Sequence, residues 1–96
     1  MSPIPVPSEI PELWITQADW EGRSFWLGVL VRATGSVEFL EAESQSDLWS
    51  SVESAGWPRR NYYGQDAPAA TVSDQIIDNY PGIKFPDLPF HYRVLP

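Results

Sequence analysis

The stretch Ser24-Phe25-Trp26-Leu27-Gly28-Val29-Leu30-Val31-Arg32-Ala33-Thr34, with Gly35-Ser36 and then Val37-Glu38-Phe39-Leu40-Glu41-Ala42-Glu43, decides the fold. From Ser24 to Thr34 the side chains alternate at period two. Phe25, Leu27, Val29, Val31 and Ala33 share one face, and Trp26, Gly28, Leu30 and Arg32 take the other. Apolar residues on both faces predict a central strand. Gly35-Ser36 reads as a two-residue type II′ turn with glycine first. Closure there pairs Thr34 with Val37, Val31 with Leu40 and Val29 with Ala42. That register puts Leu40 and Ala42 on the core face and Glu41 and Glu43 on the opposite one.

Working outward, Leu13-Trp14-Ile15-Thr16-Gln17 has the aromatic and β-branched content of a short strand. Residues 18–22 read as the connection into the strand that follows. Beyond the hairpin, Leu48, Trp49, Val52 and Ala55 fall on one helical stripe. Ser46 is the candidate cap, Asp47 suits the positive end of the helix, and Gly56 sits where a left-handed residue ends it. Residues 57–64 are irregular, with an edge strand expected over 59–63. A second helix is expected from Thr71 to Tyr80, capped by Ser73, with Ile76 and Ile77 inward and a stop at Pro81-Gly82. Phe90 to Leu95 alternates like a closing strand.

Proline at 3, 5, 7 and 11 forbids a helix or an inner strand near the N-terminus. Residues 1–11 are therefore expected as a Pro-rich extended arm and 12–96 as a single domain. The class is α+β: a small antiparallel sheet, a meander of about three strands plus a C-terminal strand, with one or two short helices on one face.

With 96 residues, the chain holds one domain and is too short for a TIM barrel or a complete dinucleotide-binding enzyme. Scaling of surface with mass leaves roughly two-thirds of the extended chain's area buried. The lack of Cys excludes a disulfide scaffold, thiolate zinc sites and thiol nucleophiles. Five Trp, four Tyr and four Phe can carry much of the core, and any left at the surface are favoured interface anchors. The longest apolar stretch, Phe25 to Val31, is too short to span a bilayer. The first residues do not read as a signal peptide, so a cytoplasmic setting is expected.

The formal net charge of −7 is unevenly placed. Residues 1–53 hold nine acids against Arg23 and Arg32, whereas residues 54–96 hold four acids and four bases. A negative surface repels nucleic acid and anionic lipid and steers toward basic partners.

Catalytic chemistry finds little support. His91 is the single imidazole and lies on an expected strand, where a structural role is the simpler reading. Glu41 with Glu43, and Asp74 with Asp78, share faces but lack the walls of a substrate groove. Calcium, phosphate-loop and dinucleotide signatures are missing, and no cofactor is expected. Trp57-Pro58-Arg59-Arg60-Asn61-Tyr62-Tyr63 interleaves guanidiniums with rings, as single-strand nucleic-acid sites do, but two Arg in so acidic a chain give little phosphate affinity.

The expectation is a non-enzymatic, acidic protein-interaction module, monomeric or homodimeric, that occupies a basic, nucleic-acid-binding surface on a nuclease or RNA-guided effector. Glu38, Glu41, Glu43, Asp47 and Glu53 are the candidate contacts, with Trp20, Arg59, Arg60 and Tyr62 beside them. In size and acidity the chain resembles small inhibitors such as anti-CRISPR proteins and toxin-immunity proteins; the resemblance is one of profile and carries no shared motif. The alternatives are an accessory or homodimerising subunit with an exposed aromatic interface, and a weak single-strand binder acting through Trp57–Tyr63.

Overall fold

A computed structural model describes residues 12–32, 34–56 and 62–93, with the side chains of Tyr62 and Tyr63 excepted. The arm at 1–11 and the segment 57–61, which includes Arg59 and Arg60, lie outside the described residues. The elements run β1 (Glu12–Trp20), β2 (Arg23–Val31), β3 (Val37–Ala42), α1 (Gln45–Ser54), β4 (Tyr62–Gln65), α2 (Ala70–Asn79) and β5 (Phe90–Arg93). The strands form one antiparallel five-stranded open sheet in the order β3-β2-β1-β5-β4. The α+β class is therefore as the alternation patterns indicate, and the closing strand lies inside the sheet, between β1 and β4.

The strands β1 and β2 form a hairpin in which Trp20 pairs with Arg23. Its two turn residues, Glu21 and Gly22, both have positive φ (49° and 77°), the geometry of a type I′ turn. Asp19 and Trp20 thus belong to a strand nine residues long rather than to a connection. The next turn corrects the expected register. Gly35 N–H donates to Arg32 O and Arg32 N–H donates to Ser36 O, both at 2.8 Å, and Gly35 has φ 92°. Glycine therefore closes a three-residue loop instead of opening a two-residue one. Val29 faces Phe39, Gly28 faces Leu40 and Leu27 faces Glu41. This change in parity sends Leu40 and Ala42 to the face opposite Leu27, and Glu41 to the face that Leu27 occupies.

Both faces of the sheet are covered, one helix on each. On one, Trp14, Ala18, Phe25, Leu27 and Val29 pack against Val72, Ile76 and Tyr80 from α2 and its C-terminal end. On the other, Leu13, Ile15 and Leu30 pack against Leu48 and Val52 of α1. This arrangement explains why β1 and β2 are apolar on both sides: each strand feeds two cores.

The cap of α1 is Ser44, whose Oγ accepts from Asp47 N–H, rather than Ser46. Gly56 follows the helix at φ 109°, as expected for a left-handed terminator. No side chain caps α2; Ser73 lies inside it and donates to Pro68 O. The helix ends at Tyr80-Pro81-Gly82-Ile83, where Ile83 N–H donates to Tyr80 O and Gly82 has φ 80°, a type II turn. The chain then runs back along α2. Lys84 exchanges backbone hydrogen bonds of 2.8 and 2.9 Å with Asp19, which fixes the Ile83–Phe85 segment to the end of β1.

Candidate functional site

The five carboxylates singled out in the sequence do not form one face. Glu38 and Glu41 lie on opposite sides of β3, because Glu38 stands opposite Leu30 and Glu41 opposite Leu27. Both have internal partners. Arg32 Nη2 reaches Glu38 Oε2 at 2.7 Å, and Arg23 Nη1 reaches Glu41 Oε1 at 3.5 Å. The Tyr80 hydroxyl donates to Glu41 Oε2 at 2.8 Å. Glu43 and Asp47 are exposed on either side of the Ser44 cap, and Glu53 is exposed near the end of α1.

Trp20 is half-buried and engaged within the fold. Its indole Nε1–H donates to Pro81 O at 2.9 Å, its ring meets Tyr80 edge-on at 4.9 Å, and the Arg23 guanidinium lies 5.7 Å from its centroid. It clamps the turn after α2 to the β1–β2 hairpin. Tyr62 pairs with Tyr92 through its backbone, next to a bulge between Tyr62 and Gly64.

His91 is buried on β5 and stacks on Trp14, with ring centroids 4.2 Å apart and planes 4° from parallel. Nε2 lies 3.5 Å from Glu12 Oε1, and Nδ1 lies 4.0 Å from Asp66 Oδ2. Burial holds the imidazole below its ordinary 6.5, against the opposing pull of Glu12 and Asp66 and with a contribution from Arg93. Among the described residues no group of three or more His, Asp or Glu is placed to hold a metal ion. Nor does any helix among them have the length and apolarity to cross a membrane.

A second set of carboxylates remains outside these networks. Glu21, Glu43, Asp47, Asp74, Asp78 and Asp87 are all exposed, and none forms an ion pair with a cation among the described residues. Asp74 and Asp78 stand one helical turn apart on α2, and Asp87 lies in the segment that runs back beside that helix. Between α2 and this segment is an open cleft that the sequence reading did not single out. Ser73, Ile76 and Ile77 form one side, and Ile83, Phe85 and Leu88 the other. The one local signal is the adjacent pair Ile76-Ile77: the two side chains stand about 100° apart on the helix, so the apolar arc extends beyond the row that Val72, Ile76 and Tyr80 turn to the core, and the expected inward placement of both does not hold. Ile76 is buried, and Ile77 is 57% exposed.

No protein-family model matches this chain, and neither a curated protein nor a solved structure matches it.

Proposed function

We propose that this protein is a small acidic interaction module, without catalytic activity, that binds a cationic surface on another protein. The observation that supports this reading is the set of exposed carboxylates with no cation partner among the described residues, Glu43, Asp74, Asp78 and Asp87 among them, in a chain of net charge −7. Glu38 and Glu41, which hold the chain's own Arg32 and Arg23, are secondary to Glu43, Asp74, Asp78 and Asp87 in this role. Large cationic surfaces belong chiefly to proteins that handle nucleic acid. A carboxylate surface placed there competes with phosphate, which is how an inhibitor of the anti-CRISPR or toxin-immunity kind would act in a cytoplasmic setting.

The test is competition. Against a nuclease with a basic substrate groove, wild-type protein displaces single-stranded nucleic acid at low salt. Displacement weakens sharply near 0.5 M salt, where the screening length is about 4 Å. The combined Glu43→Lys, Asp74→Lys and Asp78→Lys variant folds and competes poorly. Competition that is equal in wild type and variant, or indifferent to salt, would remove the electrostatic basis of the proposal.

A further inference from the structure

Resting on that reading, we infer that the cleft between α2 and the Ile83–Pro89 segment is the anchoring point. It seats a bulky apolar side chain from a partner protein's segment whose neighbouring residues are Lys or Arg. Two adjoining hollows of about 440 and 210 Å3 share Pro68, Ser73 and Phe85. The large hydrophobic side chains left exposed among the described residues, Ile77 at 57% and Leu88 at 56%, both line this cleft. Exposed apolar area gathered in one concavity with a polar rim marks a site of association. Pro86 and Pro89 fix the backbone along one lip, so little conformational freedom is lost on binding.

The rim identifies the occupant. Asp87 lines the cleft directly. Asp74 follows the cleft residue Ser73 and stands about 60° around the helix from Ile77, on the outer lip, with Asp78 beyond it on the solvent face. Among the described residues, neither hollow has a basic side chain in its lining. An apolar floor bordered by carboxylates complements an apolar residue between cations. A phosphate polymer or an anionic bilayer would meet repulsion at the same rim.

Methyl and amide NMR titration of the full chain at low salt tests this with three short peptides. One has a Leu-Phe-Leu centre between lysine pairs, one keeps the lysines around Ser-Gly-Ser, and one keeps Leu-Phe-Leu between glutamate pairs. The first peptide shifts the methyl signals of Ile77, Ile83 and Leu88 and binds about tenfold more tightly than either other peptide. Ile77→Ser and Leu88→Ser each weaken it about tenfold and leave the melting temperature unchanged, since both side chains are largely exposed. Equal binding of the two lysine peptides, with the cleft methyls unmoved, overturns the cleft and leaves the acidic module standing. Equal binding of the glutamate peptide overturns the charge match. Failure of both lysine peptides to bind overturns the module as well.

Discussion

The Tyr80 hydroxyl donates a 2.8 Å hydrogen bond to Glu41 Oε2, joining the end of α2 to the edge strand β3. Its ring is held edge-on by Trp20 at 4.9 Å and Phe39 at 5.5 Å, so one side chain connects the hairpin, the edge strand and the helix. Burial, the bond to Glu41 and that carboxylate's charge push the phenol up to about 12 from its ordinary 10.0. The folded value lies above the unfolded one, so the stabilisation is complete below pH 10 and is lost as pH rises toward 12. Absorbance titration of tyrosinate shows a late phase from the Tyr80 phenol in the folded protein. Tyr80→Phe abolishes that phase and lowers stability by about 1 kcal/mol. Retention of the late phase in the variant would assign it to another tyrosine.

Gly28 governs the distance between β2 and α1. A Cβ built there would meet Leu48 Cδ1 at 3.1 Å and Leu40 Cβ at 3.7 Å. Strand propensity alone favours valine at this position. The packing predicts the reverse: Gly28→Val forces Leu48 out of its site and costs about 1–3 kcal/mol. Gly28→Ala is milder, because Leu48 Cδ1 is the end of a flexible side chain. Urea midpoints order the three as wild type, alanine, valine; a valine variant as stable as wild type contradicts the close approach.

The two-sided alternation of β2, the α1 stripe and the glycine after it were legible because each depends on local periodicity or backbone conformation. The register of β3 was not. Gly35 suits either the first position of a two-residue turn or the last of a three-residue loop, and the change of parity moves Glu41 to the other face. Glu38 and Glu41, three apart on one strand, take opposite faces in either register, so the expected acidic patch could not gather on one side of β3. The α2 cleft depends on where the Pro81-Gly82 turn sends the chain, a tertiary relationship that no local pattern encodes. Its one local trace was the Ile76-Ile77 pair.

His91 predicts acid sensitivity. Burial against Trp14 lowers its pKa below 6.5, although Glu12 and Asp66 face it and favour the cation. The unfolded chain therefore binds the proton more readily. The contribution of the neutral ring is complete above pH 6.5 and is lost as pH falls through the folded value. His91→Phe keeps a ring over Trp14 and removes the titration. Melting temperatures compared at pH 7.5 and 5.0 fall further for wild type than for this variant. Parallel falls would show that other groups carry the acid response.

The internal pairs also decide which carboxylates meet a cation first. Arg32 and Glu38 form a partly exposed pair, and such pairs contribute about 0–1 kcal/mol. Removing it by Glu38→Gln therefore changes stability only slightly. Yet a cation arriving at Glu38 must compete with Arg32, and one arriving at Glu41 must compete with both Arg23 and the Tyr80 hydroxyl. No described cation pairs with Glu43, Asp74, Asp78 or Asp87. Titration with a short oligolysine at low salt therefore shifts the amide signals around Glu43, Asp74, Asp78 and Asp87 before those around Glu38 and Glu41. Glu38→Gln and Glu41→Gln weaken oligolysine binding less than Asp74→Gln and Asp78→Gln do. The opposite order would return the cationic partner to β3 and show that Arg23 and Arg32 leave their acids readily.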